Sequence, residues 1–494
     1  MQLFLSRLSY IGLAGLLLLA LALRWDVYPK TYFADELIPQ AVIKHMQTSG
    51  TLDTNWENAD WRGDFAGGFY KLKQYNFSSY HTVLYAFQSV SETLGMRDVP
   101  VLIVYRVFSV LCQLLAMCLV YFIAKHLYGD RAALCSAAFL AIAPQAVVDA
   151  HYARPESFVI FLVALACYLA LKNCQQRKLS WVLLESSIWG VAFACKFSFF
   201  PMALLAFSVS IWKQQRFSPI LLWLVGFVLG VAISAPYLAK DLSGFWHGIG
   251  LLRHQYAATD AQGGWWHFTS LWQLLAYLAV FFGIPIFLVM LAAGLQLRRS
   301  ARLFFVLSAL CSVFYLLLFS VQGVFFERNL SHLLPLWSVL FGAGADALLT
   351  RMQGKSALLL MKGLLCCCLV WLLFLSVSID KEMFIGLEKN KNKIAHYEQA
   401  LLQEFSATKI VALNVLNPVS SRQLSSSTLL RVPMPKISST DMIEVFLRKN
   451  DFVKISAMEQ PLAFLPYNQL QINQLPPAYA YYRKMGQNAE VNVP

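Results

Sequence analysis

The chain has 494 residues, of which 58% are hydrophobic and 14% are charged, and its formal net charge at pH 7 is +13. This composition, with repeated apolar stretches of membrane-crossing length, excludes an ordinary soluble domain and predicts a polytopic α-helical membrane protein. The positive charge does not indicate a nucleic-acid partner, because the basic residues gather in short loops between apolar stretches, the pattern that orients membrane proteins.

The hydropathy pattern predicts about eleven membrane-spanning helices, with the N-terminus in the cytoplasm. Their expected ranges are 8–24, 99–123, 131–148, 156–171, 181–198, 200–212, 218–238, 269–294, 303–322, 332–349 and 357–379. With this topology every inner segment carries Lys or Arg. The turn Phe199-Phe200-Pro201 divides two short spans, and merging them would invert the topology of all later segments.

A basic start followed by an apolar run in the first span also resembles a cleaved secretory signal. No small-residue cleavage site follows it, and Arg24-Trp25 has the character of an interface anchor, so we interpret the helix as an uncleaved signal anchor. The ten cysteines fall in spans or in an inner loop. We therefore expect neither a disulfide nor a cysteine-based metal site.

The sequence divides into a membrane domain, residues 1–379, and a tail, residues 380–494. Two outer loops of the membrane domain are long, 25–98 and 239–268, and the first has helical spacing at 35–48 and 81–94. The tail has a helix-like run from Lys391 to Glu404 and β-type runs at 409–413 and 451–455. It is predicted to form a small α/β domain outside the membrane.

The acidic pair Asp35-Glu36 begins the first predicted helix of the long outer loop. Two interpretations are open for these carboxylates. They favour the positive end of a helix and can cap it, but carboxylates beside a membrane helix also indicate a functional site. Nucleotide-binding glycine motifs and internal repeats are absent from the sequence, so a nucleotide or nucleotide-sugar site has no support.

Ionisable and polar residues of both signs gather at the outer ends of several predicted spans. Such a group at one depth on different helices predicts a polar cavity that opens outward, although each residue alone is equally consistent with a structural ion pair. The group consists of Arg106, His151, Arg154, Glu156, Lys196, Glu327, Arg328, Asn329 and His332. Glu185 and Asp346 lie near inner ends, and we interpret them as interfacial.

Several motifs in this part of the chain resemble those of a known family. They are Tyr105-Arg106, Leu127-Tyr-Gly-Asp-Arg131, Ala143-Pro144, His151-Tyr-Ala-Arg-Pro-Glu156, Ala194-Cys-Lys196-Phe-Ser198 and Glu327-Arg-Asn-Leu-Ser-His-Leu-Leu-Pro335. In order and spacing they resemble the lipid-linked-sugar-dependent glycosyltransferases of the membrane C superfamily, especially the branch of protein O-mannosyltransferases and lipid A aminoarabinose transferases. The resemblance covers residues 1–350 and does not extend to the tail.

The resemblance implies an inverting transfer in which an acceptor hydroxyl attacks the anomeric carbon of a sugar on a polyprenyl phosphate. Such a reaction needs a carboxylate as general base and cations at the leaving phosphate. Asp35 matches the family's acid in the first loop, and Glu36 would orient it. Glu156 stands where relatives have an acid at the top of the fourth span, but the Arg-Pro-Glu spacing is shorter than theirs, which leaves its role in sugar or acceptor positioning open.

The same resemblance implies a phosphate site that contains a lysine of the first loop and an arginine before the eighth span. Lys71 or Lys73 and Arg253 with His254 occupy comparable stretches, although their flanking residues match the family poorly. Lys196 and Arg328 are rival phosphate ligands, and Arg106, His151, Arg154, Glu327, Asn329 and His332 would line the donor site. Each cation alone is equally consistent with an interface anchor.

The expected partners are a polyprenyl-phosphate sugar, an acceptor that is a lipid, a glycan or a protein, and the membrane lipids. The resemblance implies no required cofactor and no metal ligand set, while dependence on a divalent metal stays open. A bacterial inner membrane with the tail in the periplasm is the expected location. A transporter or flippase is the alternative from another class, since many spans around a polar cavity also describe a carrier.

Overall fold

The structure is a computed structural model that describes residues 2–25, 36–55, 58, 78–176, 178–199, 201–204, 206, 217–257, 268–296, 298–320, 327–378, 410–413, 429–432, 452–458 and 479–484. In chain order its helices are α1 (Gln2–Ala22), α2 (Leu37–Ser49), α3 (Ser78–Thr93), α4 (Val101–Tyr128), α5 (Asp130–Ile142), α6 (Pro144–Ala150), α7 (Pro155–Gln176), α8 (Leu179–Cys195), α9 (Phe217–Ser234), α10 (Leu242–Ala257), α11 (Phe268–Phe281), α12 (Ile284–Ala292), α13 (Arg299–Ser320), α14 (Leu334–Arg351) and α15 (Lys355–Ser378).

Within the described residues, 5 helices are long and apolar enough to cross a membrane, and two bent pairs raise that number to as many as 7. Shorter apolar helices occupy Leu8–Ala22, Leu179–Cys195 and Ile220–Ser234, where we predicted further spans. The expected span at 200–212 lies largely outside the described residues. The chain is thus a helical membrane protein, while the count of eleven spans stays a prediction.

Two segments that we expected to be continuous spans are sharply bent. The segment predicted at 131–148 consists of α5 and α6, which meet at an angle of 56°. Pro144 begins α6 and has no N–H to continue the hydrogen bonding of α5, which explains the break. The segment predicted at 269–294 bends by 82° at Gly283, whose φ of 76° is a left-handed conformation that glycine adopts without strain.

Small residues bring helix backbones into direct contact, as is common where membrane helices associate. A Cβ atom added to Gly230 of α9 would lie 2.0 Å from the carbonyl oxygen of Ser187 on α8. One added to Gly190 of α8 would lie 2.1 Å from the carbonyl oxygen of Phe227. Gly342 of α14 has the same relation to α5, where the oxygen of Ala132 lies 2.2 Å from the added atom. Only glycine therefore fits at these crossings.

Two predictions about single residues are wrong. Arg24, expected to anchor the first span at the interface, is 1% exposed and donates hydrogen bonds to backbone carbonyls, whereas Trp25 is exposed. Glu185, expected to be interfacial, is buried and accepts a 3.2 Å hydrogen bond from Nδ2 of Asn173. Polar side chains in an apolar environment need such partners, and here neighbouring helices supply them.

The chain forms two compact units, one made of Met1–Val27, Met46–Trp56 and Lys73–Asp380, and the other of Tyr28–His45, Glu57–Leu72 and Lys381–Pro494. The tail contributes four strands, β1 (Ile410–Leu413), β2 (Leu429–Val432), β3 (Phe452–Met458) and β4 (Tyr479–Lys484), in the order β2-β1-β4-β3. β1 pairs with β2 in parallel, and the other pairs are antiparallel. We predicted β1 and β3, while the expected helix from Lys391 to Glu404 lies outside the described residues.

Candidate functional site: a buried charged cluster

Asp149, near the end of α6, is a fully buried carboxylate. Its Oδ1 atom accepts a 2.9 Å hydrogen bond from Nε2 of Gln145, one turn earlier on the same helix. Oδ2 accepts a hydrogen bond from the hydroxyl of Ser331, and an arginine nitrogen, Nη2 of Arg154, lies 3.4 Å from Oδ1. Asp149 thereby joins α6 to the 3₁₀ turn Glu327–Leu333, which precedes α14.

A second buried carboxylate, Glu156 in the first turn of α7, lies between two cations. Its Oε1 atom is 3.6 Å from Nζ of Lys196, and its Oε2 atom is 3.8 Å from Nε of Arg154. Lys196 also donates a 3.1 Å hydrogen bond to Oδ1 of Asn329. The ends of α6, α7 and α8 and the 3₁₀ turn therefore meet at one group of charges, which we call the charged cluster: Asp149, Arg154, Glu156, Lys196, Arg328 and Asn329.

Arg328 belongs to this cluster because its guanidinium acts electrostatically on both Glu156 and Lys196. Among the described side chains of the cluster, three cations face two carboxylates, which leaves one formal positive charge where isolated charge is costly. Such a site favours an anionic ligand.

Two buried polar atoms at this place have no hydrogen-bond partner among the described residues: Oε2 of Glu156 and Nε2 of His332. The His332 ring is enclosed by aromatic side chains, with ring centroids 4.3 Å from Tyr315 and 5.0 Å from Phe199. Buried polar atoms usually have partners. Within the described residues, the hydrogen-bonding capacity of these two atoms is therefore unused.

Tyr152 connects a further predicted residue with the cluster. The Cζ atom of Arg154 is 4.7 Å from the centroid of the Tyr152 ring, and that of Arg106 is 5.9 Å from it. Both distances fit cation–π contacts. His151 lies close by in sequence, but its Nε2 atom is 3.1 Å from the backbone oxygen of Leu23, next to the end of α1.

Several predicted site residues lie outside the description. Asp35, Lys71 and Lys73 are not among the described residues, and the side chains of Arg253, His254 and Glu327 are not described either, although the first two lie on α10 and Glu327 begins the 3₁₀ turn. Glu36 is fully buried, and its backbone oxygen accepts a 3.0 Å hydrogen bond from the Gln40 side chain. The capping and catalytic interpretations of the acidic pair therefore both stay open.

The sequence analysis missed Asp149, Gln145 and Ser331. One signal for Asp149 was present, since it is an acid within a mostly apolar run and lies four residues after Gln145. Its importance depends on the break at Pro144, which directs α6 away from α5. Among the described residues no group of three or more His, Cys, Asp or Glu is placed to hold a metal ion.

Comparison with protein families gives a match over residues 88–239 to the model of dolichyl-phosphate-mannose-protein mannosyltransferases. This range contains α6, α7 and α8, and thus Asp149, Arg154, Glu156 and Lys196. A search of curated proteins finds no match.

Three solved structures share the fold over 78% to 99% of this chain. ArnT from Cupriavidus metallidurans in the apo state has a TM-score of 0.57 and 13% identity, with 99% of this chain and 100% of that chain covered. The same protein bound to undecaprenyl phosphate has a TM-score of 0.55 and 13% identity, with 97% of this chain and 99% of that chain covered. The Archaeoglobus fulgidus oligosaccharyltransferase tethered to an acceptor peptide has a TM-score of 0.51 and 12% identity, with 78% of this chain and 56% of that chain covered.

These matches agree with the order of motifs from which the resemblance was predicted, and the first two extend over both compact units. At 13% identity they establish architecture, and the family model adds the segment that builds most of the charged cluster. The predicted resemblance is confirmed at the level of fold: the chain has the fold of ArnT, and residues 88–239 match the dolichyl-phosphate-mannose-protein mannosyltransferase model.

Proposed function

We propose that this protein is an inverting glycosyltransferase, which moves a sugar from a polyprenyl phosphate to a hydroxyl acceptor at the outer face of the membrane. The observation that carries the proposal is the charged cluster, in which described cations and carboxylates meet at the ends of α6, α7 and α8 and at the 3₁₀ turn. The match of ArnT bound to undecaprenyl phosphate supports the donor class.

In this proposal Asp35 is the general base and removes the proton of the acceptor hydroxyl as it attacks the anomeric carbon. The bond between that carbon and the phosphate oxygen breaks, and polyprenyl phosphate leaves with the negative charge. General base catalysis by a placed carboxylate contributes roughly 10²- to 10⁴-fold in rate. Glu36 orients Asp35, and neither role follows from a contact within the described residues.

Glu156 receives a positioning role toward the sugar or the acceptor. Its Oε1 atom faces Lys196 at 3.6 Å, and its Oε2 atom has no hydrogen-bond partner among the described residues. A carboxylate oxygen in that state accepts a hydrogen bond from a hydroxyl group, the commonest group on both substrates. Lys196 and Arg154 keep the carboxylate charged and oriented.

The leaving phosphate needs cations close to the charge that develops on it. Lys196 contacts both Glu156 and Asn329, and we propose Arg328, next to Asn329 in the 3₁₀ turn, as a phosphate ligand, with Lys196 as its rival. Lys71 or Lys73 of the first loop and Arg253 with His254 on α10 complete the proposed phosphate site. Together they stabilise the charge that develops on the leaving group.

The acceptor is a lipid, a surface glycan or a protein, and the sugar is a hexose or pentose. We further propose a bacterial inner membrane, an N-terminus in the cytoplasm and a tail domain in the periplasm. This orientation follows from about eleven spans and from basic inner segments.

A carrier is the second candidate, and one observation favours it. Carriers often bind their substrate at helices broken within the membrane, and the chain has two bent pairs, at 56° and 82°. The shared fold argues for the enzyme, because the matched structures are of glycosyltransferases. The two candidates differ in what they do to the substrate: the enzyme converts it to a chemical product, whereas a carrier only moves it.

The test is an assay of purified protein in detergent, where no membrane gradient exists. A polyprenyl-phosphate sugar is supplied with a cell-envelope acceptor, and released polyprenyl phosphate is measured. The enzyme releases lipid phosphate and glycosylates the acceptor, and Asp35→Asn abolishes both. A protein that binds the donor without consuming it contradicts the proposal and supports the carrier.

A further inference from the structure

The break between α5 and α6 leaves backbone carbonyl groups without their usual helical partners. Pro144 occupies the position whose N–H would bond to the Leu140 oxygen, and proline has no such group. The oxygens of Ala141 and Ile142 also lose their donors, because α5 ends at Ile142. Unpaired carbonyls are especially unfavourable inside a membrane.

Arg24 and Ser376 supply the missing donors from distant parts of the chain. Nη1 of Arg24 donates to the Ala141 oxygen at 2.8 Å, and Nη2 donates to the Leu140 oxygen at 3.2 Å. The hydroxyl of Ser376 on α15 donates to the Ile142 oxygen at 2.7 Å. The guanidinium fork thus bonds two adjacent carbonyls at once, which a single amine does less well.

The same segment after α1 also holds the far end of α6. The backbone oxygen of Leu23, next to Arg24, lies 3.1 Å from Nε2 of His151, the residue that follows α6. Residues 23 and 24 therefore contact both sides of the bend. Asp149 is two residues before His151, so its place in the charged cluster depends on the direction of α6.

We propose that Arg24 is a positioning residue, which fixes the bend between α5 and α6 and thereby holds Asp149 in the charged cluster. The proposal rests on the proposed function for its effect on turnover. Arg24 is 1% exposed and its bonds go to α5, so it acts through the backbone. The role differs from that of a membrane-interface anchor, whose cation faces water and lipid headgroups.

Four variants test the proposal in the full chain. Arg24→Met removes the donors, and Arg24→Lys keeps the charge but not the fork. Pro144→Ala in the Arg24→Met background restores an N–H for the Leu140 oxygen. Arg131→Met is the matched control, because it removes an arginine at the other end of α5 whose side chain is 68% exposed.

The expected signature in the donor assay is a loss of kcat without a matching change in KM. Arg24→Met lowers kcat by about 10- to 100-fold, the usual effect of a small displacement in a catalytic site, and KM for the donor stays within about threefold. Arg24→Lys is intermediate, and Arg131→Met resembles wild type. The double variant recovers thermal stability but not kcat, because a straightened helix displaces Asp149.

Hydrogen exchange gives a readout that does not need activity. Amides of residues 147–151 exchange faster in Arg24→Lys than in wild type, whereas Arg131→Met leaves them unchanged. If the wild-type protein is inactive in the donor assay, the proposed function is refuted. Hydrogen exchange then still tests whether Arg24 holds α6 in place. Wild-type kcat and exchange rates in Arg24→Lys, or recovery of both stability and kcat in the double variant, overturns the positioning role.

Discussion

Nζ of Lys196 lies 3.6 Å from Oε1 of Glu156, and the two side chains are 12% and 4% exposed. The pair joins the residue after α8 to the first turn of α7, and Asn329 extends it to the 3₁₀ turn before α14. A buried ion pair of this kind stabilises a fold little in net terms, but the loss of one partner leaves an uncompensated charge. The ion pair therefore fixes the relative positions of Lys196 and Glu156 at the site more than it stabilises the fold.

Each single substitution in this pair should destabilise the protein, and the combined loss should cost less than the sum of the two. Glu156→Gln should cost roughly 3–5 kcal/mol at most, since Lys196 loses its carboxylate partner. Lys196→Met should cost less, because Arg154 still faces Glu156. The double variant should be more stable than additivity predicts, by on the order of 1–3 kcal/mol. Thermal unfolding in detergent measures this, with Lys178→Met as an exposed control, and strict additivity would show that the pair is not coupled.

The proposed phosphate ligands should separate donor binding from the chemical step. Lys73→Ala, Arg253→Ala and Arg328→Ala should each weaken binding of free polyprenyl phosphate, because charge-assisted contacts contribute about 1.5–3 kcal/mol. Asp35→Asn should leave that binding unchanged, since the base acts on the acceptor. Lipid affinity of all four variants is compared in one detergent. Unchanged affinity in all three cation variants would direct attention to Lys196.

The helix crossing of α8 and α9 should not tolerate a methyl group. Gly230→Ala should lower the unfolding temperature, because the new Cβ atom would lie 2.0 Å from the Ser187 oxygen. Gly363→Ala is the control, since nothing lies within 4 Å of its added atom and alanine favours a helix by about 0.5–1 kcal/mol over glycine. Opposite signs of the two shifts are expected, and equal shifts would contradict the close packing.

The tail prediction concerns both its location and its role. A reporter fused after Asn390 should score as periplasmic, and a cytoplasmic score would mean that the spans near Phe199 to Pro201 are miscounted. Deletion of residues 391–494 should reduce transfer to the natural acceptor more than slow hydrolysis of the donor by water. Equal loss of both reactions in a monodisperse truncated protein would make the tail part of the active site.

The sequence predicted the helical membrane fold, most helix positions and the meeting of charged residues at helix ends. It did so because hydropathy and mixed charges on neighbouring helix ends are local patterns. Arg154, Glu156, Lys196, Arg328 and Asn329 come together as expected.

The rest depended on contacts between distant residues. Arg24 was wrongly predicted to lie at the interface. Its carbonyl partners on α5 are more than a hundred positions away in the sequence, so no local pattern reveals them. Asp149 was overlooked, because the Pro144 break that directs it toward Ser331 is invisible in a hydropathy window. Such tertiary contacts override local preference.

One assay in detergent tests the central proposal most directly. It measures both the release of polyprenyl phosphate and the anomeric configuration of the product. Wild-type protein should form one glycosylated acceptor for each lipid phosphate released, with inversion at the anomeric carbon. Asp35→Asn should fold and bind the donor, yet lose activity by roughly 10²- to 10⁴-fold. A retained configuration, or activity of Asp35→Asn above about half of wild type, would contradict the proposed mechanism.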